Sequence, residues 1–354
     1  MNILCLDIGS GTQDVLLYME GRELENCPKF VIPSPAALRS QEIGRLTELG
    51  KPIYLFGQNM GGGFGQALSG HLERGLKAAA HPRAALAISD NPDKVRAMGV
   101  ALSEECPPGF TPVCLSDFEP AFWRSFLAQL SLDMPDMVAA AAQDHGYHPD
   151  SSNRLGRFNI WRSFLEQQQG RAEALLFDRP PETFTRLAAI QEAAGGGVVA
   201  DTGAAAVLGA MFDPRVEAEA RLGGVCVVNV GNSHCLVFLI CQERIVGILE
   251  HHTGLLTPEK LWEQIETFRA GRLSNQDVFD DWGHGCHLLD TAVSSGPFDP
   301  VYVIGPRRQL LDGYPVRFLC PGGDVMLAGC FGLLKGLEMQ GRIGPVPRGA
   351  VAAE

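Results

Sequence analysis

Asp7, Gly9, Ser10, Gly11 and Thr12 stand together in "LDIGSGT" (6–12), directly after an apolar run. Glycines at that spacing let the backbone turn its N–H groups toward an anion. A second cluster has the same form: Asn229, Gly231, Asn232, Ser233 and His234 in "NVGNSH". The two align without a gap, "NILCLDIGSGTQDVLLYMEGR" onto "GVCVVNVGNSHCLVFLICQER", with Asp7 on Asn229, Gly9 on Gly231 and Thr12 on His234. Two such turns are expected to face each other and clamp one phosphate-bearing ligand from opposite sides. An acid beside phosphate requires a cation between them, so Asp7 is expected to hold a metal ion. Asn229, at the matching place, is neutral and both donates and accepts.

The elements that position these turns are strands. Thr12 leads into the apolar run "VLLY", not into a helix. The dinucleotide fingerprint and the P-loop both need a helix there and are therefore excluded. Each copy reads as strand, glycine turn, strand and a third extended run, "KFVI" (29–32) or "RIVGILE" (244–250). Repeats this far apart indicate a duplicated domain, because a solenoid repeats about every 20–50 residues. The first domain is expected over 1–214, with an insertion at about 33–116 that opens with a helix near Ala36 and a strand "PIYLFG" (52–57). The second is expected over 221–340. The tail 341–354, made of Pro, Gly and small residues, is expected to be disordered. Asp201, in "VVADTGAAAVLGAMFD", precedes an Ala-rich helix and is placed to cap it.

With 354 residues, 45% hydrophobic content and a net charge of −12, the chain reads as an ordinary globular protein. That charge argues against nucleic acid or an anionic membrane as partner. No apolar run approaches the roughly 20 residues of a membrane span, and Asp7 interrupts the first one, so neither a span nor a signal peptide is expected. The expected location is cytoplasmic, with the ten cysteines as reduced, mostly buried thiols.

Seven of the nine histidines lie between 145 and 287. "EHHTG" (250–254) and "DDWGHGCH" (280–287) carry His251, His252 and His284, types that ligate transition metals. Their spacing matches no defined motif. A metal site and a polar lining of the cleft both remain open, and His234 is expected to face the same ligand as Thr12.

Together these segments resemble the sugar kinase, heat-shock chaperone and actin ATPase superfamily. That resemblance implies an α/β fold of two RNase H-like (actin-like ATPase) domains with ATP and Mg²⁺ in the cleft between them. It makes the two turns the phosphate motifs. It makes Asp201 the base on a substrate hydroxyl, and places Gln143, in "DMVAAAAQDHGY" (136–147), against substrate or the attacking water. It makes Gly305, in "PVYVIGPRRQLL" (300–311), the adenosine contact, although Pro306 replaces the usual second glycine. "GGDVMLAGCFGLLKG" (322–336) resembles the second connecting helix. More narrowly, the chain resembles a bacterial and archaeal family labelled "putative pyruvate formate-lyase activating enzyme". Radical-SAM activases carry CxxxCxxC, and no three cysteines here have that spacing. The implied function is an ATP-dependent phosphotransferase acting on a small molecule. The alternatives are an ATP-hydrolysing switch that acts on a protein partner, or a non-catalytic nucleotide or phosphate binder.

Overall fold

The computed structural model describes residues 1–290, 292 and 296–348. The first copy of the repeat forms β1 (Asn2–Ile8), β2 (Thr12–Met19) and β3 (Lys29–Pro33), an antiparallel meander. The insertion supplies β4 (Ile53–Gly57), β5 (Ala78–Ala80), β6 (Val100–Leu102) and β7 (Thr111–Leu115). The first sheet is completed by β8 (Met137–Ala142), β9 (Leu176–Phe177) and β10 (Val198–Ala200). The second copy forms β11 (Val225–Val230), β12 (His234–Cys241) and β13 (Arg244–His252). It is followed by β14 (Gly285–Leu288), β15 (Val301–Ile304) and β16 (Arg317–Phe318).

The strand order is β3-β2-β1-β8-β10-β9 in one sheet and β14-β13-β12-β11-β15-β16 in the other. Within each, a three-stranded antiparallel meander is extended by two parallel strands in the same order. This repeated topology is that of two RNase H-like domains, the actin-like ATPase architecture. β1 and β11 read as nearly unbroken apolar runs because both faces of each sheet are covered.

Two helices cross between the domains, Thr202–Met211 and Ala328–Met339. Their small residues allow backbone contact. A Cβ on Gly332 would lie 1.8 Å from the Ala205 carbonyl oxygen, and one on Gly209 would lie 2.0 Å from that of Ala328. The insertion folds around its own parallel sheet, β6-β5-β4-β7, with a separate apolar core that includes Ile43, Leu55, Phe64 and Val113. It is a subdomain rather than an extended loop.

The tail departs from expectation as far as it is described. Val346 is buried, and Arg348 pairs with Glu217 and Glu338 at 2.8 Å each. A proline-rich stretch needs only such anchors to be held against the body. Residues 349–354 of the expected tail lie outside the described residues. Among the described residues, no helix is long and apolar enough to cross a membrane.

Candidate functional site

The two glycine turns meet. Gly9 N–H donates to the Thr12 carbonyl at 2.9 Å, and Gly231 N–H donates to that of His234 at 3.0 Å. The hydroxyls of Ser10 and Ser233 lie 3.4 Å apart across the gap. A Cβ would stand 3.1 Å from the carbonyl oxygen that closes the turn at Gly9, and 2.7 Å at Gly231. Close approach therefore demands glycine in the second turn, whereas in the first a side chain would press the carbonyl back by a few tenths of an ångström.

Each turn is braced by a hydroxyl residue that follows the third strand. Ser34 N–H donates to the Gly11 carbonyl and Thr253 N–H to that of Ser233, both at 3.0 Å. Their hydroxyls reach back to the carbonyls of Ser10 (2.8 Å) and Gly231 (2.9 Å). The sequence reading missed both braces, although each sits at the end of the third extended run. Gly11, expected at the ligand, serves this bracing and does not line the cavity.

Between the turns lies a cavity of ≈ 390 Å³. Gly9, Ser10 and Thr12 line one side, and Asn229, Gly231, Asn232, Ser233 and His234 the other. Asp7, Gln143 and Gly305 also reach it. A Cβ on Gly305 would lie 2.5 Å from the Val230 carbonyl oxygen, so this glycine lets the end of β15 pack on the second turn.

The first turn concentrates carboxylates. Asp7 faces Asp14 across the β1–β2 ladder. Asp7 accepts a 2.7 Å hydrogen bond from the Thr202 hydroxyl, and burial pushes its pKa up to about 6. Burial, reinforced by the charge of Asp7, pushes Asp14 up to about 8. Asp14 Oδ1 is buried without a partner. Two desolvated carboxylates side by side, one with an unused oxygen, suit a hard divalent cation that takes oxygen ligands. Asp14 was legible in principle, since a two-strand register from the turn places it opposite Asp7.

Asp201 holds the capping place expected of it and is engaged at both oxygens. It caps the helix Thr202–Met211 by accepting from Gly203 N–H at 2.9 Å. It also accepts from Arg157 Nη1 (2.8 Å), Arg157 Nη2 (3.1 Å) and Asp144 N–H (3.2 Å). Only 5% exposed and bonded at both oxygens, it does not line the cavity. The expected base is thus committed to structure: a carboxylate that neutralises a buried guanidinium has no lone pair directed at a substrate.

Arg157 continues to the other domain. Its Nε donates to both oxygens of Glu250 on β13, at 2.7 and 2.9 Å. Trp161 Nε1 adds a bond of 3.1 Å to the same carboxylate. Burial alone would raise the Glu250 pKa, but the Arg157 guanidinium holds it below the usual carboxylate value. Gln143 Nε2 lies 3.5 Å from Glu250 Oε1, at the cavity edge. Arg157 was missed, yet it shares a helical face with Trp161 and Phe164, an apolar stripe that an arginine enters only when paired.

The histidines also regroup. One ring nitrogen from each of His145, His234 and His284 lies within 4.8 Å of the other two. The His252 ring is adjacent, 4.9 Å from that of His234 and 4.7 Å from that of His284, centre to centre. His251 is excluded: its Nε2 is 3.0 Å from Asp281. Neighbours along a strand point to opposite faces, so only one of His251 and His252 can share the face of His234, its partner being His252. Burial lowers the pKa of His145 to about 3, His234 to about 4 and His284 to about 2, so all three are neutral near pH 7.

Comparison with known proteins places the chain. Residues 60–310 match the family described as "Putative pyruvate format-lyase activating enzyme (DUF1786)". No curated protein matches it. Among solved structures it is similar to a "putative N-acetylmannosamine kinase" from Listeria monocytogenes (10% identity, 96% of this chain and 100% of that one, TM-score 0.35). It is also similar to ethanolamine utilization protein EutJ from Carboxydothermus hydrogenoformans (10% identity, 94% and 89%, TM-score 0.31). A third is an activator of 2-hydroxyisocaproyl-CoA dehydratase from Clostridium difficile with bound ADPNP (8% identity, 98% and 100%, TM-score 0.32). These are distant likenesses, and the fold rests on the sheet topology above. The chain belongs to the family whose model spans its residues 60–310.

Proposed function

We propose that the cleft binds ATP as its Mg²⁺ complex and that the protein is an ATP-hydrolysing switch. The observation that carries nucleotide binding is the confrontation of the two turns, with Ser10 and Ser233 hydroxyls 3.4 Å apart at one cavity. Both turns line one cavity there, and glycine turns of this kind favour an anion. Asp7 and Asp14 fit a magnesium ion, which when bound neutralises charge on the phosphates. Gly305 would admit the nucleoside against the second turn.

The switch reading is favoured over direct transfer by the state of Asp201, whose four hydrogen bonds leave it unsuited to deprotonate a substrate hydroxyl. Arg157 joins Asp201 of the first domain to Glu250 of the second. A change in the separation of the turns would be felt at that link, and domain closure is a common output of such clefts. Small-molecule phosphotransfer is the second reading. It is favoured by the glycine-rich segment 58–65, which brings Asn59, Met60 and Gly61–Gly63 to the same cavity and so walls a space beside the first turn. Radical-SAM activation is not adopted despite the family's description. The sequence has no CxxxCxxC, and among the described residues no three cysteines converge.

The experiment is ADP release measured with purified protein, Mg²⁺ and ATP, alone and with a panel of hydroxylated metabolites. Slow release that no metabolite accelerates supports the switch. Release that depends on one metabolite supports the transferase. Absence of ATP binding by calorimetry contradicts both.

A further inference from the structure

We propose that His145, His234 and His284 form a transition-metal site of the zinc class on the wall of the cleft, with its remaining coordination positions open to the cavity. The proposal stands independently of the nucleotide reading. It rests first on convergence. His145 follows β8, His234 begins β12 and His284 precedes β14, so three distant segments each bring one ring nitrogen within 4.8 Å of the other two. A tetrahedral ion with nitrogens at ~2.0–2.1 Å needs them ~3.4 Å apart. Small side-chain rotations cover the difference.

The second observation is the state of the nitrogens. His284 is 1% exposed, and its Nδ1 has no hydrogen-bond partner. His234 Nε2 is likewise buried and unpartnered. Buried polar nitrogens are normally satisfied, so two orphans in one cluster call for an unseen partner. Solvent or a donor side chain would serve one imidazole; a metal ion satisfies three acceptor nitrogens at once.

The donor set selects the class. Glu250, a buried carboxylate on β13, already accepts from Arg157 and Trp161, which leaves a nitrogen-only set. Imidazole suits zinc, copper, iron and nickel, whereas magnesium prefers oxygen. His252, beside His284, is available as a fourth ligand or as a neighbour in the outer shell. His145 and His234 line the cavity together with Gly231 and Ser233. A three-histidine ion there keeps an open position, as catalytic zinc sites do, within reach of an anion held by the second turn.

The test uses full-length protein stripped with chelator and titrated with Zn²⁺, and separately with Co²⁺ as a spectroscopic probe, without nucleotide. The expected result is one ion per chain, a Co²⁺ d–d spectrum of a low-coordinate nitrogen site, and a raised Tm. His145→Gln and His284→Asn should each weaken Zn²⁺ binding by more than the roughly 10–100-fold that outer-shell partners cost. His251→Gln should leave it unchanged. If His284→Asn fails to fold, His145→Gln, on a loop, decides. No stoichiometric binding of either ion overturns the proposal, as does binding that survives both ligand substitutions. Because nucleotide is absent from the assay, neither outcome bears on ATP binding.

Discussion

The two glycine turns share a backbone and differ in their side chains. Both close with a glycine N–H to a carbonyl three residues on, and both are braced by a hydroxyl residue after the third strand. Yet Asp7 and Asp14 face each other in the first, where the register of the second sets Asn229 against Leu236. Thr12 in the first becomes His234 in the second, the entrance to an imidazole cluster. The difference teaches that the two copies kept one main-chain turn and its brace. The flanking side chains separated into an oxygen-rich half and a nitrogen-rich half.

The largest expected effect comes from cutting the link that holds these halves together. Arg157→Met leaves Asp201 and Glu250 buried without their counter-charge. It should lower the unfolding free energy by about 3–5 kcal/mol in urea denaturation. A loss below about 1 kcal/mol would mean that the domains are held by other contacts and that the comparison concerns two independent lobes.

Making the first turn copy the second sharpens the contrast. Asp14→Leu introduces the residue found at 236 and removes a desolvated carboxyl. Metal-free protein should gain about 1–3 kcal/mol, and the Mg²⁺ dependence of ATP binding should diminish. Calorimetry with and without Mg²⁺ reads the second effect; an unaltered dependence would assign the cation to Asp7 alone.

The halves should also titrate in opposite senses. Asp7 and Asp14 rise from the ordinary 3.8 to about 6 and about 8, so the native state holds extra protons in that window. Their contribution therefore declines as pH rises from about 4 to about 8. His145, His234 and His284 fall from 6.5 to between about 2 and about 4, so there the unfolded state holds extra protons. Their contribution is present above pH 6.5 and is lost as pH falls toward those values. In metal-free protein, Asp14→Leu should flatten the alkaline decline and His284→Asn the acid one. Denaturation midpoints across about pH 5 to 8 test this, and identical profiles in all three proteins would contradict the assignment of the halves.

What could be read in advance divides along physical lines. The turns, the duplicated meander, the crossing helices and the start of the insertion were legible, because a gapless repeat, strand periodicity and small-residue stripes are local signals. The assignment of Asp201 was not, because its partner Arg157 lies 44 residues away and only the fold brings them together. The same applies to the histidines. "EHHTG" shows two adjacent imidazoles, but strand alternation sends His251 to Asp281 and leaves His252 with the cluster. His145 joins through a contact between domains that no spacing reveals. Asp14 and the braces Ser34 and Thr253 lay within reach of register reasoning and were passed over because each reads as an ordinary strand-end or strand-interior residue.

The central claim, that both turns hold one anion, is tested most directly by calorimetric titration of Mg²⁺–ATP into wild type, Gly9→Val and Gly231→Val. A side chain at either glycine meets the carbonyl oxygen that closes its turn, 3.1 Å away at Gly9 and 2.7 Å at Gly231. The account predicts one nucleotide per chain in wild type and a loss of at least tenfold, about 1.4 kcal/mol, in each variant, with Gly231→Val the worse. Wild-type affinity in either folded variant would show that its turn does not hold the nucleotide, and would contradict the account.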